Sequence, residues 1–203
     1  MRIELHRGDL PDGLDLGRTV AVDTETMGLN PFRDRLCVVQ LSAGDGVAHL
    51  IQLRPGGYDA PVLRRQLGDP ARLKLFHFAR FDLAVLRKFL GVACAPVYCT
   101  KVASKLARTY TDRHGLKDLC RELLGIELDK GEQSSDWGAP ELTESQLRYA
   151  ARDVAYLHQL RERLDAMLER EGRQGLAAAC FAFLPVRAEL DLAGWPEQDL
   201  FAH

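Results

Sequence analysis

The sequence lacks three features that would each indicate a particular class of protein. It has no run of about 18 uncharged apolar residues, the length that a membrane-spanning helix requires. Its N-terminal stretch, MRIELHRGDL, lacks the apolar core of a secretory signal, so we expect a cytoplasmic protein. Its five cysteines are odd in number and show no short paired spacing, which argues against a cysteine zinc site and predicts reduced core thiols.

The chain does contain an apolar pattern typical of an α/β domain, and its 203 residues can bury a substantial core. Apolar runs predict three consecutive strands with hairpin-type connections, in TVAVDTE, RLCVVQLSA and VAHLIQL. We then expect a helix near Pro61–Leu67, a strand in RLKLFHF, a helix over Phe81–Leu90 and an extended segment around Val97–Cys99.

From Lys101 onward the spacing of apolar residues is helical. Turn-forming residues interrupt it near 112–115, 125–129 and 138–140. Thr143 followed by Gln146 resembles a capping box, which predicts a long helix starting there. The polar segment 129–140 contains two glycines and ends in a proline, so we expect a long loop that lies at the functional site.

No repeat, low-complexity tract or linker composition divides the chain. We therefore expect one domain over residues 1–203, with a catalytic core of about 19–170. The tail, 171–203, is rich in apolar residues, and it should pack on the core or on a neighbouring subunit.

Acidic residues stand at two places where predicted strands end. Asp23 and Glu25 are two positions apart in VAVDTET, so their side chains should leave the same face of the sheet. Asp82 follows the apolar strand in LFHFARFDLAVL and falls in or near the first turn of a helix. Each acid alone has an ordinary explanation, because strand ends are often solvated and the helix dipole favours an acid in the first turn.

A tyrosine and a fourth acid share one face of the late helix. Tyr149 and Asp153, in LRYAARDVAYLHQL, are four positions apart, which places their Cβ atoms about 5–6 Å apart. Taken singly, the pair could be a tyrosine at the core edge beside an exposed acid. Four carboxylates without a partnering group of histidines and cysteines would select a hard cation, Mg²⁺ or Mn²⁺.

In order and context, these motifs resemble those of the DEDD superfamily of 3′-5′ exonucleases, in its tyrosine-containing subgroup. The resemblance consists of DTET, then FD after an apolar strand, then Y-x-x-x-D on a late helix. RLCVVQLS, KLFHFARFDLAVL, GLKDLCRELLG and KGEQSSDW are similar to ribonuclease D sequences. HFARFD, CTKVASKLARTYTDRHGLKDLC, QSSDW and GWPEQDLFAH resemble the short NrnC-type oligoribonucleases.

The resemblance implies a ribonuclease H-like α/β fold, with a mixed central sheet flanked by helices and a helical C-terminal half. It implies two divalent ions, with Asp23 bridging both, Glu25 and Asp153 holding one, and Asp82 helping to hold the other. Tyr149, with an ordinary pKa of about 10, would position the attacking water instead of acting as a base.

The terminal nucleotide is expected beside Glu25 and the backbone that follows it. Leu29 or Met27 would wedge between bases, or both would fill core space. Phe78 replaces the asparagine of many superfamily members, and a base or sugar could stack on it. The predicted substrate-binding residues are Thr24, Thr26, Met27, Gly28, Leu29, His77, Phe78, Arg80, Gln133 and Trp137.

Two of these residues also have a structural explanation. Trp137 could offer a stacking face to the substrate or could simply anchor its loop. His77 reads more readily as a buried, hydrogen-bonded histidine than as a ligand.

The charge of the chain bears on the substrate. Its 27 basic and 29 acidic residues give a formal net charge of −2, whereas proteins that follow long nucleic acids usually carry a broad basic surface. Near-neutral charge therefore favours a short substrate, although Arg108, Arg113, His114 and Lys117 could form a local patch. The resemblance itself implies short RNA, dinucleotides above all, and a homo-oligomer with a ring-like octamer as the expected form.

Two other functions stay open at this level. A general 3′-5′ exonuclease acting on longer RNA or single-stranded DNA would carry the same acids, and only the dependence of rate on length distinguishes it. A non-catalytic nucleic-acid-binding protein of the same fold would usually lack a metal ligand, and all four acids are present.

Overall fold

A mixed β-sheet forms the centre of the computed structural model, which describes residues 1–128, 131–132, 135–198, 200 and 202. The strands of the described sheet are β1 (Arg2–Arg7), β2 (Thr19–Thr26), β3 (Leu36–Ser42), β4 (Val47–Gln52), β5 (Leu73–Phe76) and β6 (Val97–Cys99). Their order is β1-β4-β3-β2-β5-β6. β2, β3 and β4 pair antiparallel, as predicted, whereas β1, β5 and β6 pair parallel to their neighbours.

Strand β1 is the element that the apolar pattern did not predict. Its sequence, RIELHR, is mostly polar, and none of its residues is fully buried. It lies parallel to β4 at the edge of the sheet, where one side of the strand needs no partner and polar side chains are tolerated.

Helices cover both faces of the sheet. Within the described residues they are α1 (Pro61–Gly68), α2 (Ala79–Leu90), α3 (Thr100–Ala107), α4 (Leu116–Leu119, continued by a π-helical turn, Cys120–Leu124), α5 (Glu144–Ala155), α6 (Leu157–Arg170) and α7 (Gln174–Leu192). None of these helices combines the length and the apolar character that crossing a membrane would need.

The core consists of two apolar clusters, one on each face of the sheet. Strand β2 contributes to both, because Val20 and Val22 pack in the cluster with α1 and α2, while Ala21 packs in the cluster with α5 and α6. Asp23 and Glu25 continue the alternation from Ala21 and therefore share the face that α5 covers. The strand thus delivers both acids toward the helix that carries Asp153.

The tail folds as helix α7, which continues through Pro185 and packs mainly on α2. Leu184 and Ala188 join the cluster on the α2 side of the sheet. Arg80 on α2 donates to the Asp191 carboxylate on α7, over distances of 2.6 and 2.7 Å. Apolar packing and this ion pair hold the tail against the helix that carries Asp82.

Helix α5 begins with the predicted capping box. The Thr143 hydroxyl accepts from the Gln146 backbone N–H, and the Gln146 side chain accepts from the Thr143 N–H at 2.8 Å. The Gln146 side chain also donates to the Asp136 carbonyl at 3.0 Å, which ties the preceding loop to the helix.

We expect Thr143→Ala to lower the free energy of unfolding by about 1 kcal/mol, because it removes one half of the box. Catalytic constants should change little, since the box lies well over a helical turn before Asp153. Denaturant titration measures the change, and Thr143→Ser, which keeps the hydroxyl, is the matched control. Equal losses in both variants would rule out the capping role.

Candidate active site

The end of β2 presents two of the predicted acids together. Asp23 pairs opposite Gln40 of β3, and a register shift between Glu25 and Thr26 ends the regular ladder. On its other side, β5 pairs with β2 only over positions 19–21 in the described sheet. The part of β2 that holds the acids therefore extends beyond its β5 neighbour, at an opening in the sheet.

Asp153 on α5 completes a compact group of carboxylates. One oxygen each from Asp23, Glu25 and Asp153 lies within 4.8 Å of the others. Each of the three side chains is partly buried. Residues 130 positions apart in sequence thus converge at one point, as the resemblance to the exonucleases implies.

Asp82 lies beside this group but is held separately. It falls in the first turn of α2, is 5% exposed, and accepts a 2.6 Å hydrogen bond from the Thr24 hydroxyl. The chain enters α2 through Phe78, whose φ of 68° is left-handed, a conformation that non-glycine residues seldom adopt. This sharp entry brings Asp82 next to β2 directly after β5 ends.

The pKa values of all four carboxyls are raised, and neighbouring acids contribute to the rise for Asp23, Glu25 and Asp82. Burial is the largest cause for each, and it raises the pKa of Asp82 and of Asp153 to about 7. Burial followed by the charges of Asp153 and Asp82 raises the pKa of Glu25 to about 9. Burial and the three neighbouring acids hold the pKa of Asp23 well above its usual range. Such crowding requires either bound protons or a cation.

The donor set fits a hard divalent cation. It consists of carboxylate oxygens alone, without histidine or cysteine in the group, and Mg²⁺ and Mn²⁺ prefer such oxygens. A divalent ion would also supply the positive charge that the raised pKa values call for.

Tyr149 stands one turn before Asp153, and its phenol has no tendency to ionise near neutral pH. Burial, followed by the charges of Asp153, Glu25 and Asp23, raises its pKa above the ordinary value. A hydrogen bond from Tyr149 in turn lowers the pKa of Asp153 against the effect of burial. Tyr149 is therefore a neutral hydroxyl donor at the rim of the acid group.

Trp137 is a loop anchor in this structure and not an open stacking surface. It is only 2% exposed, and its ring lies 6.0 Å from that of Tyr149, tilted by 44°. The alternative of a stacking contact with substrate is therefore not supported. Gln133, predicted in the same loop, lies outside the described residues.

Two apolar residues after β2 are open to solvent. Leu29 is 86% exposed and Met27 is 51% exposed, so neither fills core space. The Thr26 hydroxyl donates to the Gly28 carbonyl and shapes this turn. Thr24, also predicted to contact substrate, uses its hydroxyl on Asp82.

Phe78 and Lys101 form a second exposed feature near the site. Phe78 is 50% exposed, and the Lys101 ammonium lies 4.0 Å from the centre of its ring. The neighbouring His77 is partly buried, and its Nδ1 lies 2.9 Å from the Thr100 hydroxyl, as expected of a hydrogen-bonded structural histidine. Sequence reasoning missed Lys101, because it opens α3 with no local motif around it.

Arg80, predicted to bind substrate, and Arg108, considered for a basic patch, both have structural partners. Arg80 is engaged with Asp191 and with the Pro196 carbonyl, so the prediction that it binds substrate is not supported. Arg108 is fully buried and bonds to Ser104, the Arg113 carbonyl and Glu122. Sequence alone could not reveal these partners, since they are distant or lie around a turn.

Gln40 is a buried polar residue that sequence reasoning also missed. It is fully buried opposite Asp23, and neither of its amide atoms has a hydrogen-bond partner among the described residues. Nothing in the local sequence around Gln40 indicates that it lies opposite Asp23. Its amide remains available to a group bound near the acids.

Comparisons with known proteins found similar chains of known family. A family model described as a 3′-5′ exonuclease matches residues 12–169. A solved structure of Brucella melitensis NrnC bound to pGG is 57% identical, with a TM-score of 0.97 over 100% of this chain and 99% of that one. A structure of Brucella melitensis NrnC with bound Mg²⁺ is 56% identical, with a TM-score of 0.96 over 100% of both chains.

Similarity extends to longer proteins as well. The ribonuclease D of Gluconacetobacter diazotrophicus is 38% identical over 165 residues, which is 81% of this chain and 42% of that protein. The chain thus spans about two fifths of the length of this curated relative. The predicted α/β fold with a mixed sheet is confirmed by the superpositions and the strand order.

Proposed function

Because the chain belongs to the 3′-5′ exonuclease family, we propose that it is a metal-dependent exoribonuclease that hydrolyses short RNA oligonucleotides to mononucleotides. The observation that carries this proposal is the convergence of Asp23, Glu25 and Asp153 within 4.8 Å, with Asp82 beside them. Bringing several carboxylates together away from water costs free energy, and such groups are typical of functional sites. Binding of divalent ions for phosphodiester hydrolysis would offset this cost.

The four acids are proposed as ligands for two Mg²⁺ or Mn²⁺ ions. When bound, such ions activate water and stabilise the oxygen that leaves the phosphorus. Asp23 is proposed to bridge both ions, and the charges of Asp82, Asp153 and Glu25 all contribute to the rise in its pKa. The NrnC structure with bound Mg²⁺, identical at 56% of positions, supports this choice of metal.

The residues around the acids would place the RNA end and the water. Tyr149 keeps its proton and can donate a hydrogen bond that orients the attacking water. Exposed Met27 and Leu29 would contact the terminal nucleotide, and Leu29 is the better wedge between two bases because it is the more exposed. Phe78 with Lys101 above its ring suits a base followed by a phosphate.

A short RNA is proposed as the preferred substrate. The NrnC structure that matches the full chain is bound to pGG, which supports binding of a fragment of this size. With a net charge of −2, the chain has no overall excess of basic residues with which to contact a long strand.

Rates on a length series test this proposal. Labelled RNAs of 2, 3, 5, 7 and 20 nucleotides, and the matching DNAs, are incubated with the chain and Mg²⁺ under single-turnover conditions. We expect the dinucleotide to be cleaved fastest, with the rate falling as length rises. Equal or faster cleavage of the 20-nucleotide RNA would favour the general exonuclease, which the ribonuclease D relatives make the second candidate.

We expect Tyr149→Phe to slow hydrolysis by about 10- to 100-fold, the effect of losing one hydrogen bond to a charged or reacting group. Dinucleotide affinity should be unchanged, because the proposed hydrogen bond acts on the water. Single-turnover rates measure the effect, and Tyr156→Phe at the end of α5 is the matched control. Full activity of Tyr149→Phe would remove the residue from the mechanism.

Self-association into a homo-oligomer, with an octamer as the expected form, is part of the proposal. Helix α7 and the residues after it expose Leu176, Val186, Trp195 and Leu200, an apolar set that a neighbouring copy could cover. Light scattering coupled to size exclusion measures the mass directly. A monomer at micromolar concentration would contradict this part alone and leave the hydrolase proposal standing.

A further inference from the structure

A second group of potential metal ligands lies on β1 and β4, at the edge of the sheet that β1 forms. Glu4 and His6 on β1 and His49 on β4 each offer one ligand atom, and these atoms all lie within 4.8 Å of one another. Apart from the group with Asp23, it is the one such cluster that the described residues contain. The proposed hydrolysis does not use it.

The three side chains share a face because of strand register. Glu4 pairs directly with His49 in the parallel β1–β4 ladder, and His6 follows Glu4 by two positions. His49 alternates with Ala48 and Leu50, which pack in the cluster on the α5 side. The group therefore lies on the opposite face from Asp23, with β3 between β4 and β2.

The distances match those between ligands of one tetrahedral ion. His6 Nε2 and His49 Nδ1 are 3.1 Å apart, and His49 Nδ1 lies 3.3 Å from Glu4 Oε2. Two ligand atoms each about 2.0–2.1 Å from a tetrahedral zinc ion are about 3.3 Å apart. Two imidazole lone pairs at 3.1 Å also repel unless a proton or a metal ion lies between them.

The neighbouring residues leave the ligand atoms of this group available to a cation. Arg2 binds the other carboxylate oxygen, Glu4 Oε1, at 2.7 Å and so leaves Oε2 for the histidine side. His49 is 5% exposed, and burial, its largest influence, lowers its pKa, so the ring is neutral and its lone pair is available near pH 7. His6 and Glu4 are only partly buried, which leaves the group accessible to solvent.

From this geometry we propose that Glu4, His6 and His49 form a binding site for a zinc-like transition metal ion, separate from the carboxylate group. Two imidazoles and one carboxylate suit zinc and not Mg²⁺, which prefers oxygen ligands throughout. Three protein ligands leave a fourth position for water. The ion joins the edge strand β1 to β4 and stabilises the N-terminal strand on the sheet.

Zinc titration in excess Mg²⁺ tests the site, because Mg²⁺ competes for the oxygen-only group. The chelator-treated chain is titrated with Zn²⁺ against a chromophoric zinc indicator. We expect about one Zn²⁺ per chain in the wild type and in Asp23→Asn, which disables the carboxylate group. His6→Ala should weaken zinc binding at least about 100-fold, since even residues that only support a metal ligand contribute about 10- to 100-fold.

Two further variants keep the test decisive. His158→Gln on α6 changes a partly buried histidine outside the group and should bind zinc like the wild type. Glu4→Gln keeps the size of the side chain but removes its charge, and it should weaken zinc binding as His6→Ala does. An unchanged zinc affinity in His6→Ala and Glu4→Gln, or a site lost in Asp23→Asn, would overturn the proposal and leave a proton-mediated pair of histidines. Neither result depends on hydrolytic activity.

Discussion

Asp153→Asn is expected to reduce hydrolysis of a dinucleotide by about a thousandfold or more. The substitution keeps the shape of the side chain but removes the negative charge of a proposed metal ligand, which is worth several kcal/mol of transition-state stabilisation. Asp23→Asn should behave in the same way, because Asp23 is proposed to hold both ions. Single-turnover rates at saturating Mg²⁺ measure both effects.

The control for this experiment lies on the same helix. Glu144→Gln changes an exposed acid in the first turn of α5 and should retain wild-type rates. Asp153→Asn should also be at least as stable as the wild type without metal, since it relieves repulsion among buried acids. Turnover within tenfold of the wild type by purified Asp153→Asn would refute the ligand assignment.

Removing divalent ions should lower thermal stability, and the loss should grow with pH. Folding raises the pKa of Asp82 and Asp153 to about 7 and that of Glu25 to about 9, whereas unfolded carboxyls titrate near pH 4. In the metal-free protein, the stability that the protonated groups contribute is full below about pH 4. It is lost as the pH rises through about 7 and then 9.

Added Mg²⁺ should reverse this loss, because the ion replaces the protons as counter-charge. We expect melting temperatures with and without Mg²⁺ to be similar at pH 5 and to differ by about 5–10 °C at pH 8.5, a few kcal/mol for a chain of this size. Asp23→Asn is the control and should show a smaller difference. A difference that does not change between pH 5 and pH 8.5 would contradict the role of carboxylate crowding.

Local pattern was sufficient to predict the parts of the site that depend on short-range geometry. Asp23 and Glu25 share a face because strands alternate with a period of two, and Tyr149 and Asp153 share one because helices repeat nearly every four residues. The capping box of Thr143 and Gln146 is equally local. Convergence of the three acid segments came from the resemblance, since no local rule brings distant elements together.

The predictions that were not supported concern residues whose contacts are made by parts of the chain that are distant in sequence. The local sequence LFHFARFD indicates no partner for the Arg80 guanidinium. Only the packing of α7 on α2 places Asp191 beside it. Trp137 stands in a polar loop that suggests exposure, but the ring is covered beside Tyr149. Strand β1 has the composition of a surface segment, and only its pairing with β4 makes it a strand.

The acids that gather at the end of β2 come from three widely spaced stretches of the polypeptide, and the last of them, Asp153, lies on α5. A nascent chain therefore lacks a complete set of proposed ligands until synthesis has passed Asp153. Products of interrupted translation that end before Asp153 would lack a proposed metal ligand and should not hydrolyse RNA. In an enzyme proposed to hydrolyse RNA, activity would thus begin only after α5 has been synthesised.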